Sequence, residues 1–352
     1  MLLRGGFDGL AAVVPYGNPS YRSVRGGMAF EREALVPLAD GFALAPGLAP
    51  LATLWNDDQL VALHALAIPY RTRSHFDAQA ILETGLDQPK GSSDGWLNRL
   101  LQVMDGRAEG IAVAAGLPLS LSGPHPVATW SPSRLGAVEA SYVERLHYLY
   151  RHDPQLRDRF EAALQLDAES GAGSMSGGRG PRQALGSIPG ATARFLKDPD
   201  GPNVAAVELG GWDTHSNQGM QDGPLDRRFG QLAEALVGFR SQLGEAWSGT
   251  TVVVMTEFGR TAQPNGTGGT DHGTAGAGFV LGPELTKGRV VTDWPGLGSK
   301  ELFEGRDLRP TLDTRAVLEG VLAGVFDLTP AQLARVFPGS EAIRPIYDIV
   351  RG

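Results

Sequence analysis

Asp213, His215 and His272 are the side chains best suited by type and spacing to hold a metal ion. Two imidazoles and one carboxylate form a ligand set that suits zinc, manganese or iron. Asp213 and His215 lie two residues apart, so in an extended turn both can face one ion. The same pair also suits simple turn hydrogen bonds, because Asp often follows Gly-Gly in tight loops. Asp8 and Glu257 each follow a short apolar run and could bridge to a second ion. Carboxylates in such places also cap helices or pair with arginine, and Arg4 and Arg260 stand nearby in the chain. Ser74 is the candidate nucleophile, with Thr72 as a second choice. It sits where a helix is expected to begin, and the free N–H groups of a helix start stabilise an anion. Arg71 and Arg73 beside it have the planar donor geometry that grips phosphate or sulfate. Ser74-His-Phe-Asp77 also reads as a capping box. His64, His125, His147 and His152 receive no assignment.

These groups need elements to carry them. Val204–Leu209 is a short, mostly apolar run of the kind buried on both faces of a parallel sheet. Gly210-Gly211 ends it and permits a sharp turn toward Asp213. Thr251–Thr256 repeats the plan ahead of Glu257, and a glycine-rich loop carries Asp271-His272. Further strands are expected at 60–66 and 111–114, with edge strands at 279–281 and 289–291. Residues 10–15 read as extended, and residues 18–50 as loop-rich. Helices are expected at 48–56, from about 74 to 83, and at 96–103, 141–150 and 155–166. Leu225, Phe229, Leu232, Leu236, Phe239 and Leu243 step by fours and threes along one helix face. Helices at 312–328 and 330–336 close the chain. Residues 169–190 form a low-complexity stretch read as a surface loop. Strands and helices alternate throughout, so the class is α/β with a mainly parallel sheet, and 1–352 is read as one domain.

The chain has 352 residues, 42% hydrophobic and 20% charged, enough to build a sizeable core. It contains no cysteine, so it needs no disulfides and its compartment stays open. A formal net charge of −8 argues against a general nucleic-acid or anionic-membrane binder. No apolar run approaches the ~20 residues of a membrane span. The opening Met1-Leu-Leu-Arg-Gly-Gly reads as the tail of a strand whose first residues are missing. The P-loop, the dinucleotide fingerprint, H-E-x-x-H and G-x-S-x-G are all absent.

Five blocks together resemble a bacterial family, the domain-of-unknown-function family numbered 1501. They are Arg4-Gly-Gly-Phe-Asp-Gly-Leu10, Pro69-Tyr-Arg-Thr-Arg-Ser-His-Phe-Asp-Ala-Gln79, Gly210-Gly-Trp-Asp-Thr-His-Ser-Asn217, Thr256-Glu-Phe-Gly-Arg-Thr261 and Thr270-Asp-His-Gly-Thr274. The likeness runs from residue 1 to about 340. The family is grouped with the alkaline phosphatase and sulfatase superfamily. The resemblance therefore implies a central mixed sheet flanked by helices, with a metal site at the strand ends. It implies hydrolysis of a phosphate or sulfate ester, with one or two divalent ions drawn from zinc, manganese, magnesium or calcium. It also implies twin-arginine export to the periplasm. Asp8 would match the metal-binding acid after the first strand, and Ser74 the helix-start nucleophile. Asp213 and His215 resemble the acid–histidine pair of one site, and His272 the late histidine. The departure is Glu257-Phe258, where metal-dependent phosphatases of this superfamily carry Asp-His. Phenylalanine offers no ligand atom, so two-metal activity is not implied. A rival expectation is an exported, non-catalytic binding or assembly protein that keeps the fold.

Overall fold

A computed structural model describes residues 1–132, 140–170 and 181–351. Its strands are β1 (Leu2–Leu3), β2 (Val13–Val14), β3 (Val36–Pro37), β4 (Ala43–Leu44), β5 (Leu60–Ala67) and β6 (Gly110–Val113). They continue with β7 (Ala128–Trp130), β8 (Val204–Leu209), β9 (Val252–Thr256), β10 (Gly276–Leu281), β11 (Arg289–Val291) and β12 (Leu312–Asp313). Nine of them form the central sheet in the order β11-β5-β10-β9-β1-β8-β6-β7, with β12 also on β5. β2, β4 and β3 make a small antiparallel sheet beside it.

The sheet is mixed and mainly parallel, and its reversals matter. β1 runs parallel to both β8 and β9, so the loops leaving all three emerge at one edge. β10 is antiparallel to both β5 and β9, so β5 runs with β9 and also ends at that edge. The segment that enters β10 starts there too. Ligands of open α/β sheets collect at this edge of the strands. The sequence reading made 279–281 an edge strand, whereas β10 lies between β5 and β9. Its glycines explain the misreading, since Gly276 and Gly278 dilute the apolar signal, yet every residue of β10 is buried.

Helices cover both faces. On one, Pro224–Leu243 packs its apolar stripe onto the sheet, and Phe7 sits at the centre of an aromatic cluster. The Phe7 ring lies 5.0 Å from Trp212, 5.5 Å from Phe229 and 6.3 Å from Phe279, all edge-on. On the other, His75–Thr84, Trp96–Met104, Thr314–Phe326 and Pro330–Val336 enclose a second core that includes Leu2, Ala206 and Met255.

Three local expectations change. Residues 9–12 form a helical turn rather than extended chain, because Asp8 caps it by accepting from the Ala11 amide at 3.1 Å. The closing helix begins at Thr314, since Leu312 and Asp313 pair with β5. Much of the stretch read as a loop at 169–190 is helical, in Pro154–Ser170 and Pro181–Lys197, and 171–180 lie outside the described residues. No helix among the described residues is long and apolar enough to cross a membrane.

Candidate metal centre

Two close approaches assemble the site, and each depends on a glycine. Gly5, at φ 123°, follows β1, and a Cβ there would lie 2.5 Å from the amide nitrogen of Asp213. The β1 and β8 loops can therefore stack directly on one another. Gly269 does the same for the late loop, where a Cβ would meet the carbonyl carbon of His215 at 2.3 Å. Backbone bonds fasten that contact, from the Thr270 amide to Thr214 O at 3.1 Å and from the Gln218 amide to Gly268 O at 2.9 Å. Opposite, His272 bridges to Arg260 in an antiparallel pair just beyond β9.

The outcome is a cluster of three imidazoles and one carboxylate. Nε2 of His272 lies 2.9 Å from Nε2 of His75 and 2.9 Å from Nε2 of His215. Oδ1 of Asp213 stands 2.9 Å from Nε2 of His215 and 3.2 Å from that of His272. His75, Asp213 and His272 offer ligand atoms that all lie within 4.8 Å of one another, a group that could hold a metal ion.

The outer ring nitrogens decide what the inner ones are. Nδ1 of His75 meets Oε1 of Glu257 at 2.8 Å, that of His215 meets Oδ1 of Asp271 at 3.1 Å, and that of His272 meets the Arg73 carbonyl at 3.1 Å. Each partner accepts, so a proton on each Nδ1 would satisfy it and turn an Nε2 lone pair toward the cluster, the tautomer that a metal ligand needs. Three lone pairs at such spacing repel unless a cation lies among them. The donor set thus fits a divalent metal ion.

The charges around the cluster agree. Burial would raise the Asp213 carboxyl, but the buried Arg260 guanidinium, 2.6 Å from Oδ1, outweighs it and holds the group below the usual range. Glu257 is likewise pushed up by burial and pulled further down by His75, Gln79 and the Gly5 amide. Asp271 is lowered by Asn265 and then His215. His75 is raised, chiefly by its bond to Glu257, while burial lowers His272. Asp213 and His215 keep 41% and 46% of their side-chain surface, so the centre opens to solvent.

Of the residues chosen from sequence, Asp213, His215 and His272 come together. Asp8 and Glu257 are each engaged by protein donors. Oδ2 of Asp8 is 2.6 Å from the fully buried Arg25 and 2.7 Å from Nε2 of Gln218, and Oδ1 accepts the Ala11 amide at 3.1 Å. Glu257 spends Oε1 on Gly5, His75 and Gln79 and Oε2 on Thr256, so it orients the His75 ring. Arg4 pairs with Glu83 and Glu208, and Arg260 with Asp213.

Arg71 and Arg73, expected to grip an anion, have protein partners in this structure. Arg73 points its guanidinium at Asp307, 2.7 Å, and Glu304, 2.6 Å, and its backbone, held at φ 66°, turns the carbonyl to His272. Arg71 donates to the carbonyls of Ile68 and Tyr70. Ser74 is the N-cap of His75–Thr84, yet its hydroxyl makes no capping bond, and Asp77 accepts from Tyr70. The capping box is therefore not formed. Phe258 is buried and faces the cluster, with its ring 4.7 Å from His75 and 5.1 Å from His272.

His75, one of the three residues that could hold a metal ion, is the side chain that sequence reasoning passed over. Its signal was a histidine at the first position of a helix that comes after a core strand, overshadowed by the serine and arginines beside it.

Comparison with known proteins gives a family and a distant structural likeness. The family model described as "Protein of unknown function (DUF1501)" matches residues 54–337. No curated protein sequence matches the chain. Among solved structures, the phosphonate monoester hydrolase of Agrobacterium radiobacter is similar at 14% identity and a TM-score of 0.36. That match covers 82% of this chain and 69% of the other.

Proposed function

We propose that this chain, which belongs to the DUF1501 family of proteins of unknown function, is a metal-dependent hydrolase of phosphate or sulfate esters. The observation that carries the reading is the convergence of three Nε2 atoms on rings whose Nδ1 atoms each face an acceptor outside the cluster. His75, His215, His272 and Asp213 would hold the ion. When bound, a divalent metal supplies Lewis-acid polarisation of an ester oxygen.

The chain's own groups do the rest. Glu257, Asp271 and the Arg73 carbonyl fix the rings, and Arg260 fixes the carboxylate. Solvent exposure on the Asp213 and His215 side leaves room for an ester. Ser74 precedes the ligand His75 at the start of a ten-residue helix, where free N–H groups favour an anion. Its hydroxyl is not spent on the cap, so Oγ is the nucleophile in this reading.

The test is turnover of an aryl phosphate and an aryl sulfate by chelator-stripped protein reloaded with zinc or manganese. The loaded protein should hydrolyse one of them, and Ser74→Ala should abolish turnover while metal content and Tm stay unchanged. Full activity in Ser74→Ala would move the nucleophile's role elsewhere. A loaded protein that turns over neither ester would fit the non-catalytic binding reading.

A further inference from the structure

Phe76 stands beside the metal centre with 88% of its surface in water. Leu149, the next most exposed large apolar side chain among the described residues, keeps 68%. Single apolar residues are common on protein surfaces, so position is what distinguishes this one. Phe76 follows His75 directly and lies two residues after Ser74. Its neighbours in the helix are engaged by the fold. His75 meets the cluster, Asp77 accepts from Tyr70 at 2.8 Å, Ala78 is buried and Gln79 donates to Glu257 at 3.1 Å.

The helix also sets the direction of the ring. Successive helix residues project about 100° apart, so with His75 turned into the cluster, Phe76 stands on its flank. Phe76, Ala80 and Glu83 share one helix face, and Glu83 shows where that face looks. Oε1 of Glu83 accepts from Arg4 at 2.8 Å, and Arg4 also pairs with Glu208 of β8. The ring is therefore on the β8 side of the centre, where Gly210 and Gly211 lead to Asp213. Both glycines are exposed, and a Cβ on Gly210 would meet no atom within 4 Å. Open space thus adjoins the exposed ring and the exposed Asp213 carboxylate.

We propose that Phe76 is a specificity-determining residue, which stacks on an aromatic ring of the ester whose anionic end meets the metal centre. The substrates would then be aromatic phosphate or sulfate esters. The inference deepens the reading given above and rests on it for the anionic end. The surroundings of the ring favour this occupant. Arg71 and Thr72 are exposed just ahead of it in the chain, and Glu304, 59% exposed, pairs with Arg73. A stable protein interface buries about 800 Å² per partner around an apolar centre, which one ring among polar groups does not supply. An alkyl chain laid on Phe76 would run off it onto the same polar groups. A flat ring needs only one face of the phenylalanine, in an offset stack.

The experiment is calorimetry on the zinc-loaded chain with phenylphosphonate and benzenesulfonate against methylphosphonate and methanesulfonate, anions that carry no ester bond to cleave. At least one phenyl compound should bind about fivefold more tightly than its methyl counterpart. Phe76→Ala should bring the pair within twofold, and Phe76→Tyr should keep the preference, with zinc content and Tm alike in all three proteins. Turnover of phenyl phosphate and phenyl sulfate by the same samples separates this inference from the hydrolase reading. A phenyl preference that depends on Phe76, without turnover, would support the aromatic subsite and count against hydrolysis. Turnover without such a preference would leave hydrolysis standing and overturn the subsite. Binding of none of the four anions, a preference that survives Phe76→Ala, or tighter binding of hexylphosphonate than of phenylphosphonate would overturn it too. So would sedimentation showing a dimer that Phe76→Ala disperses, since the ring would then belong to contact with a second copy.

Discussion

Replacing Glu257 with glutamine keeps the side chain's shape and removes its charge. Oε1 of Glu257 accepts from His75 Nδ1 at 2.8 Å, the Gly5 amide at 2.8 Å and Gln79 Nε2 at 3.1 Å. A glutamine oxygen can accept all three, and its amide can face the Thr256 hydroxyl now bonded to Oε2. Packing and hydrogen-bond count are thus nearly kept, so the metal-free protein should lose no more than about 1 kcal/mol. What changes is the basicity of the His75 ring, because a carboxylate behind Nδ1 raises the donor strength of Nε2. Loss of such a partner weakens metal binding by about 10–100-fold, or ~1.4–2.7 kcal/mol. The assay is zinc titration calorimetry on chelator-stripped protein, with urea melts of the same metal-free samples. An affinity within twofold of the parent would refute the role given to Glu257. A melt that falls by the full 2–3 kcal/mol would make Glu257 a structural residue only.

Buried groups give two further outcomes. Asp8→Ala should leave Arg25 buried without its 2.6 Å partner and cost about 3–5 kcal/mol in urea unfolding at pH 7. Unchanged zinc stoichiometry in that variant would agree with Asp8 lying outside the metal centre, and loss of a bound ion would not. His64 is wholly buried, accepts the Ala65 amide on Nδ1 at 2.8 Å and donates from Nε2 to Val13 O at 2.8 Å. Burial lowers its pKa from 6.5 to about 4, with the Val13 bond opposing. The unfolded chain therefore takes up a proton that the folded chain refuses. Stability from neutral His64 is complete above pH 6.5 and declines as pH falls toward 4, by about 3 kcal/mol in all. His64→Gln in metal-free protein should flatten that part of the urea-stability profile, and a parallel profile would count against it.

The parts of this site that a sequence can display are those fixed by short-range pattern. Val204–Leu209 and Val252–Thr256 announce themselves as buried strands, and the residues just after a parallel strand lie at the ligand edge of the sheet. That rule placed Asp213 and, through its glycine-rich loop, drew attention to His272. It could not show that β10 runs backwards, the reversal that brings the loop before it to the same edge. Nor could it separate ligands from their supports. Glu257 and Asp8 are both acids after strands, and only the fold reveals that His75 claims one and Arg25, far along a loop-rich segment, claims the other. Arg71 and Arg73 looked like an anion clamp because their partners, at Ile68, Tyr70, Glu304 and Asp307, are set by backbone turns and by a loop more than 200 residues away.

The metal centre itself is tested most directly by X-ray absorption at the zinc edge on protein loaded with one equivalent. Three histidine nitrogens and one carboxylate oxygen should appear at ~2.0–2.2 Å, and His75→Ala should remove one imidazole from the fit. A zinc-loaded protein without multiple-scattering features of imidazole, or a His75→Ala spectrum identical to the parent's, would contradict the convergence of His75, His215 and His272 on one ion.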